Sequence, residues 1–159
     1  MKRRLLRPLV AFAVMVSVAA VSLAAGSDPV VGTWQLNLSK STFAPDTAPK
    51  SQTRTYSQSG PSITLVMKTV GADGKETTTQ TTYQLDGKDY PITGSLDFDT
   101  VAAKQVNPRT ATFTLKKGSQ AVGTTNRTLS KDGKILTSKT RLTTAKGDKT
   151  ESVMVFDRQ

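Results

Sequence analysis

Turn signals recur along residues 59–148 at a nearly constant interval, and this spacing constrains the fold more than any other feature of the chain. Gly and Asn supply positive φ angles in such turns, and Asp caps its own backbone. The intervening segments of about 8–11 residues are rich in Thr, Val, Tyr, Phe and Ile, as strands are, and none has a 3.6-residue apolar period. The turn signals are Ser59-Gly60-Pro61, Ala72-Asp73-Gly74-Lys75, Asp86-Gly87-Lys88, Asn107-Pro108, Lys117-Gly118-Ser119, Lys131-Asp132-Gly133-Lys134 and Ala145-Lys146-Gly147-Asp148.

The regular spacing of these turn signals predicts an all-β fold of about ten strands. The links between successive strands are short, so we expect an antiparallel up-and-down meander. A long meander with two free edges is exposed to aggregation, and closure into a β-barrel of about 8–10 strands removes the edges. Turn signals alone also fit a two-sheet sandwich, which is the alternative. The predicted strands lie near residues 31–39, 51–58, 62–70, 76–85, 88–93, 99–106, 110–117, 120–130, 134–144 and 149–158.

Several predicted strands alternate between apolar and polar residues, which marks the face expected to point inward. Alternation is blurred in 120–130 and 134–144, and the interior is short of aliphatic side chains. Either the barrel encloses a wet cavity, or its many threonines occupy the outer faces. The predicted inward residues are Trp34, Leu36 and Leu38; Ile63, Leu65 and Met67; Thr77, Thr79, Thr81, Tyr83 and Leu85; Ala111, Phe113 and Leu115; and Met154 with Phe156.

The chain begins with a basic stretch ending at Arg7, an apolar run over 9–23, and small residues at Ser22, Ala24 and Gly26. This order is typical of a cleaved signal peptide. An uncleaved membrane anchor is the alternative, but the run is shorter than the roughly 20 residues that span a bilayer. We therefore expect a signal peptide at 1–25 and one domain at 26–159, periplasmic or extracellular, with no stable membrane insertion after cleavage.

Composition argues against catalysis. The chain has no Cys and no His, which removes thiolate nucleophiles, disulfides and the commonest general base. No phosphate-binding loop or nucleophile elbow occurs, so we expect a protein that is not an enzyme and uses no cofactor. Asp97 and Asp99 fit either a calcium site or a solvent-exposed loop end, and the second interpretation is preferred because no further acidic ligand follows at the spacing of an EF-hand loop. No metal site is predicted.

The net charge of +10 includes four basic residues of the predicted signal peptide. Lysines at turns are usually solubility devices, although they also attract polyanions loosely. No basic run with interleaved aromatic residues occurs, so nucleic acid is not an expected partner.

The stretch Val31-Gly32-Thr33-Trp34-Gln35-Leu36, with its Gly-x-Trp, resembles the opening strand of the calycin superfamily, which comprises lipocalins and fatty-acid-binding proteins. The stretch from Gly32 to Phe43 and the last strand, 153–158, are also similar to the fatty-acid-binding type. The chain looks like the lipocalin-like proteins that bacteria export. The resemblance implies a barrel closed at one end by Trp34, with an internal site for a small hydrophobic molecule, and a late-strand arginine over the tryptophan. Arg158 and Arg141 both fit that role.

The sequence departs from the fatty-acid-binding type at two places. Residues 44–49 contain two prolines where that family has a helical lid, and prolines forbid such a helix pair. The last-strand Arg-x-Tyr that holds a carboxylate in that family is Met154-x-Phe156 here.

The preferred hypothesis is an exported protein that holds a small hydrophobic or amphiphilic ligand inside the barrel. Arg54 and Tyr56 share one face of their strand and form a polar anchor if that face is internal, with Arg127 and Arg141 as possible additions. The alternative places Arg54 outside, with its stem covering a neighbour. The other function considered is a non-enzymatic envelope protein acting through its basic surface. The candidate ligand-binding residues are Trp34, Leu36, Arg54, Tyr56, Leu65, Met67, Tyr83, Phe113, Met154 and Phe156.

Overall fold

The computed structural model describes residues 26–143 and 147–159. The predicted signal peptide and part of the predicted turn at 145–148 lie outside these residues. Within the described residues the chain forms ten strands and one short 3₁₀ turn at Leu38–Lys40. The strands are β1 Gly32–Leu36, β2 Ser51–Ser59, β3 Ser62–Val70, β4 Glu76–Tyr83, β5 Asp86–Thr93, β6 Thr100–Asn107, β7 Thr110–Lys117, β8 Gln120–Leu129, β9 Ile135–Thr143 and β10 Lys149–Arg158.

The strands close into a single antiparallel barrel in the order β1-β10-β9-β8-β7-β6-β5-β4-β3-β2. Each strand pairs with its neighbours in sequence, and β1 pairs with β10 to complete the ring. The prediction of an up-and-down β-barrel is therefore confirmed, and the two-sheet sandwich is excluded. We refer to the end where β1 begins as the closed end and to the opposite end as the open end.

The seam between β4 and β5 is the thinnest in the barrel. Only Gln80 with Thr93 and Thr81 with Ile92 are in register there, whereas β3 and β4 pair along their whole length. Pro91 lies in β5 and has no N–H to donate to a neighbouring strand. Its carbonyl instead accepts a hydrogen bond from the Thr81 hydroxyl at 2.9 Å.

The prediction that Leu38 points inward is wrong. β1 ends at Leu36, because Asn37 caps a 3₁₀ turn by accepting a hydrogen bond from the backbone N–H of Lys40 at 3.2 Å. A side chain that bonds to nearby backbone in this way competes with strand pairing. Leu38 is consequently 44% exposed.

The most completely buried large side chains lie at the closed end of the barrel. The inward alternation predicted for β3, β7 and the Trp34–Leu36 part of β1 is present. In β4 only Thr81 and Tyr83 are buried, and Thr77 is exposed. Among the described residues, no helix has the length and apolar character needed to cross a membrane. The fully buried set includes Val30, Trp34, Ile63, Tyr83, Leu136 and Phe156.

Candidate ligand-binding cavity

Trp34 fills the barrel at its closed end, where its side chain is fully buried. Its indole Nε1 donates a hydrogen bond to the Val30 carbonyl at 2.8 Å. The guanidinium carbon of Arg158 lies 4.2 Å from the centre of the indole ring, where a cation is attracted to the ring face. Arg158 is therefore the arginine over the tryptophan. Arg141 is exposed and pairs with Glu151 at 2.6 Å.

Arg158 also ties three backbone segments together at this end. Its Nε donates to the Gly133 carbonyl at 2.6 Å. Its Nη1 donates to the Val31 carbonyl at 2.8 Å, and its Nη2 to the Pro29 carbonyl at 2.6 Å. Gly32 has a φ of +137°, and a Cβ there would lie 2.7 Å from Nη1 of Arg158. The glycine of the Gly-x-Trp motif is thus needed both for its backbone conformation and for the space that Arg158 occupies.

Arg54 extends from β2 into the barrel interior and is 7% exposed. Its Nη1 donates to the Ser138 hydroxyl of β9 at 2.7 Å. Its Nε donates to the side-chain oxygen of Gln52 at 2.9 Å, and its Nη2 lies 3.9 Å from the Met154 sulfur. The guanidinium carbon sits 4.2 Å from the ring centre of Phe156. The internal orientation is therefore the correct one of the two that the sequence allowed.

Burial lowers the pKa of the Arg54 guanidinium, because the charged form loses its hydration. Attraction to the nearby Tyr56 phenol acts in the opposite direction, and repulsion from Arg127 adds to the lowering. Arginine stays protonated in proteins despite such shifts. The lowered pKa indicates that the groups around Arg54 do not fully offset the cost of burying its positive charge.

Arg127 of β8 is a second buried guanidinium, and it has a carboxylate partner. Its Nη1 donates to the Tyr83 hydroxyl at 3.0 Å, and its Nη2 lies 3.5 Å from the Asp28 carboxylate. It also lies 5.5 Å from the ring centres of Tyr56 and Phe113. Burial acts to lower the pKa of Arg127, but attraction to Tyr83, Tyr56 and Asp28 outweighs it and the pKa is raised. Burial is also the main cause of the raised pKa of Tyr83.

A cavity of about 320 Å³ lies above these groups and opens toward the open end. Its size is at the lower limit of common small-molecule sites. Apolar side chains form much of the wall, and hydroxyl groups interrupt it. The lining residues are Gln52, Arg54, Tyr56, Leu65, Met67, Thr81, Tyr83, Ile92, Ser95, Asp97, Phe98, Val101, Phe113, Leu115, Thr125, Arg127, Ser138, Thr140, Leu142, Ser152 and Met154.

The loop between β5 and β6, residues 94–99, forms one side of the mouth. Ser95, Asp97 and Phe98 line the cavity, and Leu96 between them is 93% exposed. The Asp99 carboxylate anchors the loop by accepting the Gly118 N–H at 3.0 Å, and this bond is the main cause of its lowered pKa. The Asp99 carboxylate is thus bonded to a backbone N–H, and it does not form a calcium site with Asp97.

Seven of the ten candidate binding residues border this cavity: Arg54, Tyr56, Leu65, Met67, Tyr83, Phe113 and Met154. Trp34, Leu36 and Phe156 do not line it, because they pack in the closed-end core beneath. Phe156 still bears on the site indirectly, since its ring supports the Arg54 guanidinium. Of the two further arginines considered, Arg127 joins the interior and Arg141 does not.

Apolar periodicity in the sequence does not indicate the lining residues of β9, nor Thr125 of β8. Ser138, Thr140 and Leu142 share the inward face of β9 with Leu136, whereas Lys139 and Arg141 occupy the opposite face. The signal was an alternation between small hydroxyl residues and long charged ones, which apolar periodicity does not register. Thr125 of β8 bonds to Thr140 across the wall at 2.9 Å.

The part of the chain that the structure describes has no group of three or more His, Cys, Asp or Glu side chains able to hold a metal ion. No family model and no curated protein matches the sequence. A search of solved structures finds similarity to a redesigned β-barrel, mFAP1, bound to DFHBI. The two chains are 14% identical, the TM-score is 0.44, and the match covers 82% of this chain and 95% of that one. No inference about the ligand of this chain follows from that similarity.

Proposed function

We propose that this protein is an exported, non-enzymatic β-barrel of the calycin type that binds a small hydrophobic or amphiphilic molecule. The observation that carries the proposal is the cavity of about 320 Å³, enclosed by the strands and lined by apolar side chains with a few polar groups among them. Such a combination is the usual form of a small-molecule site, in which apolar contacts give affinity and polar groups fix orientation.

The closed end supports the same function by keeping one end of the cavity sealed. Trp34 and Phe156 are fully buried there, and Arg158 crosses the end with hydrogen bonds to backbone carbonyls. A ligand therefore enters from the other end, past the loop that contains Leu96 and Phe98. The alternative of a basic envelope-binding surface receives less support, because several lysines have acidic neighbours: Lys75 lies 3.4 Å from Asp73 at a turn, and Lys116 of β7 lies 2.7 Å from Asp89.

Binding of N-phenyl-1-naphthylamine, a neutral dye that fluoresces in apolar surroundings, tests the proposal. Thr140→Phe places a ring in the cavity and should weaken binding at least about 10-fold, which corresponds to about 1.4 kcal/mol. Thr137→Phe is the matched control, because Thr137 lies on the opposite face of the same strand. Equal binding by both variants, or no binding by the unaltered protein, contradicts the proposal.

Export is tested separately by the mass of the protein purified from the cells that make it. Cleavage after Ala24 or Gly26 gives a chain that lacks the basic and apolar segment. A mass that corresponds to the whole chain from Met1 contradicts a cleaved signal peptide.

A further inference from the structure

The barrel interior holds more positive than negative charge. Arg54 and Arg127 are both buried, and the Asp28 carboxylate, whose side chain is 8% exposed, lies beside Arg127 at 3.5 Å. Asp97 also lines the cavity, but it is exposed at the mouth. In the described parts of the chain Arg54 has no carboxylate partner, and residues 1–25 and 144–146 contain no Asp or Glu. One positive charge inside the barrel is thus left without a counter-charge.

The partners of Arg54 leave its charge accessible to a ligand. They are the amide oxygen of Gln52, the hydroxyls of Ser138 and Tyr56 and the thioether of Met154, none of which is a carboxylate, and the thioether is a weak acceptor at 3.9 Å. A guanidinium has five N–H donors, arranged so that its edges match the two oxygens of a carboxylate. Because Arg54 lines the cavity, a ligand inside the barrel can reach this group.

The surroundings hold the Arg54 side chain in one position before any ligand arrives. The Phe156 ring lies 4.2 Å below the guanidinium, and the bonds to Gln52 and Ser138 fix it from two strands. A donor fixed in this way loses little conformational freedom when a ligand binds. In low-dielectric surroundings the attraction between opposite charges is also stronger than at the surface.

We propose that the ligand is an amphiphile with one oxyanion group, a carboxylate or a sulfonate, which pairs with Arg54 beside Ser138 while its apolar part lies against Leu65, Met67 and Met154. This inference rests on the proposed binding function and specifies its ligand class. The small volume favours a compact aromatic or medium-chain acid over a long-chain lipid.

Two dyes that differ by one sulfonate test the inference. They are 8-anilinonaphthalene-1-sulfonate and N-phenyl-1-naphthylamine, and both fluoresce on entering an apolar site. The unaltered protein should bind the sulfonate at least about 10-fold tighter, as expected for a hydrogen bond to a charged group. Arg54→Met should remove this preference, so that the two dyes bind the variant with equal affinity. Arg141→Met, which removes the same charge from the outside, should leave the preference unchanged.

Three further measurements keep the test decisive. Arg54→Gln is a second variant that retains hydrogen-bond donors without the charge, and it should also lose the preference. Decanoate should displace the sulfonate dye at least about 10-fold better than 1-decanol, which extends the test to carboxylates. The preference should persist in about 1 M salt, where the Debye length of about 3 Å screens exposed lysines.

Each result bears on one of the two proposals. Equal affinity for the two dyes, a preference that survives Arg54→Met, or one that disappears in salt overturns the anion inference and leaves the binding function standing. If neither dye binds, both the inference and the proposed function are wrong.

Discussion

Removal of the Arg158 guanidinium should destabilise the barrel more than removal of any exposed arginine. Arg158→Met keeps an aliphatic stem over Trp34 and deletes three hydrogen bonds to the carbonyls of Gly133, Val31 and Pro29. The Pro29 residue is exposed, so water replaces that bond at little cost. The other two bonds contribute about 1 kcal/mol each, and the cation–π contact about 0.5–1 kcal/mol. The expected loss is therefore about 2–3 kcal/mol of unfolding free energy.

Trp34 supplies the assay, because it is the only tryptophan in the chain and is fully buried in the folded state. Its fluorescence reports urea unfolding directly. With a slope of about 1–3 kcal/mol per molar urea, the midpoint should fall by about 0.7–3 M. Arg109→Met is the control at the same end of the barrel. Arg109 lies exposed in a turn, and a surface change there should stay within about 0.5 kcal/mol.

Lysine at position 158 separates charge from geometry. Arg158→Lys keeps the positive charge near Trp34, but an ammonium is a point donor that cannot reach three carbonyls in a planar fork. It should recover less than half of the loss caused by Arg158→Met. If Arg158→Met unfolds within about 0.5 kcal/mol of the unaltered protein, the reasoning is refuted and burial alone holds the indole in place.

Three further predictions concern stability. Gly32→Ala should displace Arg158, and it places a Cβ on a backbone whose φ is +137°, so its urea midpoint should fall as far as that of Arg158→Met. An unchanged midpoint would contradict the close approach of the Arg158 guanidinium to position 32. The double variant Arg54→Met/Ser138→Ala replaces both members of a buried polar pair by apolar groups, so it should be at least as stable as the unaltered protein in urea. Ser138→Ala alone should be less stable, because it leaves a guanidinium N–H of Arg54 without its acceptor. Acid should lower the thermal midpoint, because hydrogen bonds hold several carboxyl pKa values below the ordinary 3.8 of Asp and 4.5 of Glu. Because the pKa values of these carboxyl groups are lower in the folded state, the groups stabilise the fold fully at a pH above their unfolded-state pKa values. This stabilisation is lost as the pH falls through the folded-state pKa values. Equal calorimetric midpoints at about pH 3 and pH 6 would refute this. The carboxyl groups concerned are Asp86, Asp99, Asp132, Glu151 and Asp157.

Strand positions were predictable because turn chemistry is local. The predicted spans 62–70, 110–117 and 149–158 coincide with β3, β7 and β10. The first strand was predicted too long, since apolar alternation continues to Leu38 while Asn37 turns the chain. A cap acts through one side-chain bond to the backbone, which a pattern of hydrophobicity does not contain.

The interior of β8 and β9 was not predictable from apolar periodicity for a physical reason. An inward residue next to a filled core is apolar, whereas one that lines a cavity is free to be Thr, Ser or Arg if its polar atoms find partners. Ser138 has its partner in Arg54, and Thr125 has its partner in Thr140. These pairs join strands that are distant in sequence or separated by a turn, so the partner of each residue becomes known only once the barrel is closed.

The same contrast explains why the buried Arg54 points to a ligand. The closed half of the barrel shows that this chain can build a tightly buried apolar core around Trp34 and Phe156. Directly above that core, 4.2 Å from the centre of the Phe156 ring, it places a guanidinium whose charge is opposed by no carboxylate of the described residues, and burying such a charge lowers stability. Local rules of stability are broken chiefly at functional sites, where a compensating interaction is made in another state. For Arg54 that state is the complex, because an anion in the cavity supplies the counter-charge that the fold omits.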